Sequence, residues 1–119
     1  MFITDITNLD IMMPEEVMPV TEVIVEKFHP KQVILFGSHA RQTAHGESDI
    51  DLLIVMETAK KNTEQAIDII RALNYKSNLD LVVRTPNTLQ ERLRLGDSFL
   101  QNIVKEGVVL YAEPDDRVD

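Results

Sequence analysis

Three short apolar runs constrain this chain more than any other feature. Residues 31–36 (KQVILF) and 50–56 (IDLLIVM) are rich in β-branched and other apolar residues and read as buried strands, and residues 78–84 (NLDLVVR) read as a third strand. Segments with helical spacing surround them. Residues 14–28 carry Val17, Val20, Ile24 and Phe28 on one face, with Pro14 suited to the first turn and His29-Pro30 stopping the run. Over residues 62–74, Ala66, Ile67, Ile69, Ile70 and Leu73 make an amphipathic helix, with Asn62 or Thr63 as its N-cap. Thr85-Pro86 reads as the cap and first-turn proline of a helix reaching Leu95, and Gly96-Asp97 closes it and opens another that runs to Glu106. Gly107 ends that helix before a last short strand at residues 108–111 (VVLY). The order α β (short α) β α β α α β predicts an α/β fold, a small mixed sheet of about four strands with helices packed against it.

Composition narrows the functions such a fold can carry. A length of 119 residues fits one core, expected over residues 1–112, with residues 113–119 (EPDDRVD) as an acidic, solvated tail. Twenty acidic residues against twelve Lys and Arg give a net charge of -8, which disfavours direct nucleic acid binding because that affinity comes mainly from basic residues displacing phosphate counterions. With no cysteine there is no disulfide, thiolate catalyst or Cys-based metal centre, and His29, His39 and His45 are too scattered to suggest a zinc site. No apolar run approaches the ~20 residues of a membrane span, and residues 1–10 lack the pattern of a signal peptide, so a cytoplasmic protein with no membrane association is expected.

The aspartates within the apolar runs are anomalous. Asp49 and Asp51 flank Ile50 at the mouth of the second strand, so their side chains point to one face with Cα atoms roughly 6.6 Å apart. Asp80 interrupts the third strand in the same way, and if that strand neighbours the second, a spacing of about 4.8 Å brings all three carboxylates together. At about 5 Å and an effective dielectric of about 20, each pair repels by on the order of 3 kcal/mol. A hard divalent cation, Mg²⁺ above all, matches a carboxylate cluster without His or Cys. Two such ions ~3.5–4 Å apart serve phosphoryl or nucleotidyl transfer. Taken singly, each aspartate reads as structural: Asp49 as a turn residue beside Ser48, Asp51 as solvent-facing on an edge strand, Asp80 as separately solvated. Taken together, and with the turn that precedes them, the metal reading outweighs that one.

That turn is Gly37-Ser38, directly after the first strand, where a glycine lets backbone N–H groups approach an anion and Ser38 offers a hydroxyl to a phosphate. On Gly-Ser alone, Ser38 reads as a helix N-cap. Neither a Walker pattern nor G-x-G-x-x-G is present. The register carries the weight: Gly37-Ser38, ten residues, then Asp49-x-Asp51, four fixed positions met by chance in about one chain in a thousand of this size. In LFGSHARQTAHGESDIDLLIV (residues 35–55) and LDLVV (residues 79–83) the chain resembles the minimal nucleotidyltransferase family of the DNA polymerase β-like superfamily, a resemblance that spans nearly its whole length. Gln42 departs from it, standing where the family usually has glycine.

The resemblance implies that Gly37 and Ser38 hold nucleotide phosphates. It implies that Asp49, Asp51 and Asp80 are the catalytic and metal-binding residues, with Asp80 helping to activate an acceptor hydroxyl. Two Mg²⁺ ions and ATP as substrate follow from the same likeness. Short stand-alone members resemble antitoxins of HEPN/MNT pairs, which implies transfer of AMP from ATP to a tyrosine hydroxyl of a HEPN-type toxin and a hetero-oligomer with it. The alternative is a non-catalytic module that neutralises its partner by binding alone, which an intact carboxylate trio disfavours. Small-molecule transfer would call for a further substrate-binding domain. Around these residues, Arg41 suits either a phosphate or a neighbouring acid, His39 and His45 read as exposed loop residues, and Arg84, Arg92 and Arg94 read as solvated faces rather than a cleft wall. Leu93, Leu95, Phe99, Leu100, Ile103 and Val104 read as core or a partner surface.

Overall fold

A computed structural model describes residues 16–41, 49–73 and 79–114. Its elements run α1 (Val17–Phe28), β1 (Gln32–Phe36), α2 (Ser38–Arg41), β2 (Ile50–Val55), α3 (Asn62–Leu73), β3 (Leu79–Arg84), α4 (Pro86–Arg94), α5 (Ser98–Glu106) and β4 (Val108–Ala112). The strands form one mixed sheet in the order β3-β2-β1-β4. β1 is antiparallel to β2 and β4, and β2 is parallel to β3, the parallel step being spanned by α3. The α/β architecture expected from the order of elements is the one observed. Pro14, Gln42, His45, Tyr75 and residues 115–119 of the acidic tail lie outside the described residues.

Strand alternation divides the core in two. On one face Val33, Leu35, Leu52, Ile54, Leu81 and Val83 pack with Val17, Val20 and Ile24 of α1 and with Ala66 and Ile69 of α3. On the other, Ile34, Leu53 and Val55 pack with Leu89 of α4 and with Leu100 and Ile103 of α5. β2 is therefore covered on both sides, and within it only Asp51 is not fully buried. This differs from the solvated edge position considered for Asp51, because the edge belongs to β3.

Local chemistry sets the ends of the helices. Pro19 sits in the first turn of α1, where its missing N–H costs no helical bond, and His29 closes the helix in a left-handed conformation before Pro30. Thr21, buried in α1, gives its hydroxyl hydrogen to the Val17 carbonyl at 2.8 Å. Thr85 caps α4 by accepting from the Thr88 N–H, with Pro86 beginning the helix. Asn62 is the first residue of α3 and not the cap before it. The loop is instead tied by Thr58, whose hydroxyl accepts from the Lys60 N–H and donates to the Gln65 side chain.

Asp97 caps α5 by accepting from the Leu100 N–H at 3.1 Å and pairs with Arg92 at 3.1 Å. The Leu100 N–H holds its carboxyl below the ordinary value of 3.8, outweighing the opposing effect of partial burial, and Arg92 assists. A carboxyl lowered on folding contributes stability that is complete above the unfolded value and is lost as acid drives pH through the folded one. The stability gap between wild type and Asp97→Ala is therefore widest near neutrality and narrows as pH falls below 3.8, which urea unfolding across a pH series measures. Gly107 is required for a different reason: a Cβ there would lie 2.4 Å from the Ile103 carbonyl oxygen and 2.6 Å from Cγ2 of Ile34. Gly107→Ala should cost about 1–3 kcal/mol in equilibrium unfolding, because backbone and core must both shift.

Candidate active site

The site is built where β1 ends and where β2 and β3 begin. Phe36, the last residue of β1, pairs across the antiparallel ladder with Asp51. The chain then turns at Gly37, whose φ of 75° lies in the left-handed region that glycine enters without a side-chain clash. A second constraint acts at the same residue. A Cβ on Gly37 would lie 2.2 Å from Oδ2 of Asp51 and 3.1 Å from its Cγ, so the carboxylate occupies the space a side chain would need. Ser38 opens α2, which at four residues is a single turn. A helix of one turn contributes little dipole, so the polar groups this turn presents are the Gly37-Ser38 backbone and the Ser38 hydroxyl.

On the other side of Asp51, the parallel register sets it directly beside Asp80. Residues in parallel register point to the same face, and neighbouring strands lie about 4.8 Å apart. Strand alternation places this pair on the face of Leu53, Val55 and Val82, the face that α4 and α5 cover further along the sheet. Phe36, Asp51 and Asp80 thus form a row across three strands at the margin of that cover. Asp51 is half-buried and Asp80, on the edge strand, is exposed.

Asp49 stands just ahead of β2 and is exposed. Among the described residues, no three His, Asp or Glu side chains are gathered closely enough to hold a metal ion. The structure brings together Gly37 with Asp51 and Asp51 with Asp80, while Asp49 sits where the chain has not yet entered the hydrogen-bonded ladder. The donors available are carboxylate oxygens, the ligand type that suits a hard divalent cation such as Mg²⁺.

Arg84 at the end of β3 and Arg92 and Arg94 of α4 do not line this site. Arg84 lies four residues beyond Asp80, about 13 Å along an extended strand, and donates from Nη1 to the Val83 carbonyl. Arg92 pairs with Asp97, and Arg94 with Glu91 at 2.6 Å. Sequence reasoning left Phe99 undecided between core and partner surface. Its ring meets Phe36 edge to face, with centroids 5.8 Å apart and planes at 87°, next to the Gly37 turn. The signal available in the sequence was the spacing of Phe99, Asn102, Ile103 and Glu106, which places them on one stripe of α5.

Comparisons with known proteins agree with this fold. The family described as polymerase beta, nucleotidyltransferase matches residues 19–116 of the chain. A Methanocaldococcus jannaschii protein named as a protein adenylyltransferase is 35% identical over 83 residues, covering 68% of this chain and 78% of that protein. A crystal structure from Sulfolobus solfataricus, described as a nucleotidyltransferase, shares the fold with a TM-score of 0.57 at 23% identity, over 81% of this chain and 77% of that one. A toxin–antitoxin crystal structure with AMP-PNP aligns with a TM-score of 0.53 at 25% identity, over 84% of this chain and 77% of the other.

The contact between Gly37 and Asp51 can be tested by a double-mutant cycle. Gly37→Ala imposes both left-handed strain and the clash with the carboxylate, whereas Asp51→Ala leaves only the Asp51 Cβ, at 3.4 Å, within ordinary contact distance. Gly37→Ala should therefore destabilise the wild-type chain more than it destabilises Asp51→Ala, with a coupling of about 1–3 kcal/mol read from urea unfolding.

Proposed function

This chain belongs to the polymerase beta nucleotidyltransferase family, and from that premise we propose that it is a Mg²⁺-dependent antitoxin that transfers AMP from ATP to a tyrosine hydroxyl of a partner HEPN-type toxin. The observation that carries the reading is the register that sets Asp80 beside Asp51 while the Asp51 carboxylate lies against the Gly37 turn. One short stretch of sheet margin then offers a turn for phosphates, carboxylates for a cation and a carboxylate for an acceptor proton. The relative named as a protein adenylyltransferase supports a protein as acceptor, and the toxin–antitoxin structure with AMP-PNP supports a toxin as that protein and a nucleoside triphosphate as donor.

In the proposed reaction the acceptor oxygen forms a bond to the α-phosphorus of ATP as the bond to the bridging oxygen breaks, and pyrophosphate leaves. Ser38 and the Gly37-Ser38 backbone hold the terminal phosphates, which fixes the α-phosphate over the strand margin. Asp49 and Asp51 would hold the metal, with Asp80 sharing it. Bound Mg²⁺ supplies neutralising charge for the phosphates and for the departing pyrophosphate. Asp80, exposed on the edge strand, orients the acceptor hydroxyl and takes its proton. The reading places the chain in the cytoplasm in complex with its toxin.

The test is to incubate the chain with ATP, Mg²⁺ and the protein encoded by the adjacent gene, then weigh that protein by mass spectrometry. A gain of one or more AMP units is expected. It should disappear with EDTA, and with Asp51→Asn or Asp80→Asn the rate should drop by at least ~10²-fold. A partner silenced without any gain in mass would establish neutralisation by contact alone.

A further inference from the structure

Of the two outer strands of the sheet, β4 meets β1 with a register shift between Val33 and Ile34, whereas β3 follows β2 without interruption from Leu79 to Arg84. A regular outer strand is a template to which another extended chain can add. The Met56 N–H donates to the Arg84 carbonyl at 3.1 Å, so the backbone groups of Arg84 face β2. Direction alternates along a strand. Those of Asp80 and Val82 therefore also face β2, while those of Leu79, Leu81 and Val83 face away from the sheet. No strand among the described residues takes up the outward groups of Leu79 and Leu81. The Val83 carbonyl is taken, because it accepts from Nη1 of Arg84 at 2.7 Å.

The side chains along this edge define what fits it. Asp80, Val82 and Arg84 share the face of the carboxylate row and read, over about 13 Å, as acid, apolar and base. Asp80 is exposed, and Val82 and Arg84 are half-buried. The complement is a hydrogen-bond donor opposite Asp80, an apolar side chain opposite Val82 and a carboxylate opposite Arg84. The planar guanidinium keeps donors for that carboxylate beyond the one it gives to Val83. Antiparallel pairing is the more stable form per residue. Because Asp80 bonds inward, a residue facing it from an antiparallel neighbour stands in a non-hydrogen-bonded pair, with Cα atoms about 4.5 Å apart and side chains at their closest.

We propose that the acceptor protein docks by adding an extended segment antiparallel to β3, with its tyrosine facing Asp80, an apolar residue two positions earlier facing Val82 and a carboxylate four positions earlier facing Arg84. The proposal rests on the transferase reading, which supplies the acceptor and brings its hydroxyl to Asp80. It deepens that reading by defining the acceptor as a pattern in an extended chain. Backbone bonds to Leu79 and Leu81 hold the segment in register, and the charge of Arg84 fixes which register is taken. Both anchors lie on the strand that carries Asp80, so docking and presentation of the hydroxyl are one event.

The probe is a synthetic peptide, acetyl-Thr-Glu-Thr-Val-Thr-Tyr-Thr-amide, titrated calorimetrically into the full chain without nucleotide. It should bind. Methylating the backbone nitrogens of the two threonines that flank the tyrosine should weaken binding at least ~10-fold, whereas methylating those of the tyrosine and the valine should leave it unchanged. Replacing the peptide's glutamate by lysine should weaken binding about tenfold, and Arg84→Glu should reverse that preference. A reversal is a gain of binding, which a damaged fold does not produce. If the peptide does not bind, if the two methylated forms bind alike, or if Arg84→Glu leaves the preference as it was, the docking edge is overturned and the transferase reading stands. Mg²⁺ and ATP are then added and the products weighed. AMP on the peptide's tyrosine supports the docking edge, and a bound peptide that gains none while the adjacent-gene protein does gain AMP overturns it. If neither gains AMP, the transferase reading falls and the proposal falls with it.

Discussion

The Asp51 carboxylate lies against the backbone of Gly37, in the space a side chain would fill, and this contact couples the turn after β1 to the start of β2. Two demands meet at one glycine: a left-handed φ of 75° and the absence of a Cβ. The φ alone favours glycine, and any Cβ there would also push the end of the Asp51 side chain out of its place beside the turn. The next contact outward is set by strand register, which lays Asp80 beside Asp51. From the turn to the edge strand, the acidic groups are thus positioned by backbone hydrogen-bonding geometry rather than by loop conformation. Strands hold functional groups more precisely than loops do.

Placing carboxylates beside a core carries an energetic cost, and the fold confines it. Asp51 is the single residue of β2 that is not fully buried, and the Leu52, Leu53 and Ile54 that follow it are completely enclosed. The ladder is therefore anchored on both faces immediately beyond the site. Asp80 keeps its contact with water because β3 is an edge strand. Charge repulsion between the two is borne at the sheet margin, where solvent screens it, and not within either core cluster.

Periodicity and punctuation made the elements legible, because Pro86, Asp97 and Gly107 act locally: a capping oxygen or a helix stop depends on residues within one turn. Strand adjacency was legible only as a condition. That β3 lies beside β2 in parallel depends on how α3 crosses the sheet, a long-range packing outcome that residues 78–84 do not encode alone. The spacing of Asp49 and Asp51 put both on one strand face, but the ladder begins at Ile50, so Asp49 stands outside it. Phe99 was ambiguous because half-exposure and a single aromatic contact cannot be read from helical spacing. Asn62 illustrates a boundary that propensity misplaces by one residue: the helix already includes it, and the side-chain hydrogen bonds of the preceding loop come from Thr58, to the Lys60 N–H and the Gln65 side chain.

The sheet order has a consequence for how two substrates could meet here. The Gly37 turn follows β1, an interior strand flanked by β2 and β4, whereas Asp80 belongs to β3, beyond which the sheet has no further strand among the described residues. On the proposed reading, a donor with its terminal phosphates along the turn occupies the β1 side of the row. An acceptor reaching Asp80 must then come from the β3 side. Opposite approaches suit transfer in line, since the attacking oxygen and the departing pyrophosphate need to lie on opposite sides of the α-phosphorus. On the proposed reading, a folded partner presenting a tyrosine at that edge meets this geometry with its own surface, so this domain supplies the donor half of the cleft and the partner the acceptor half.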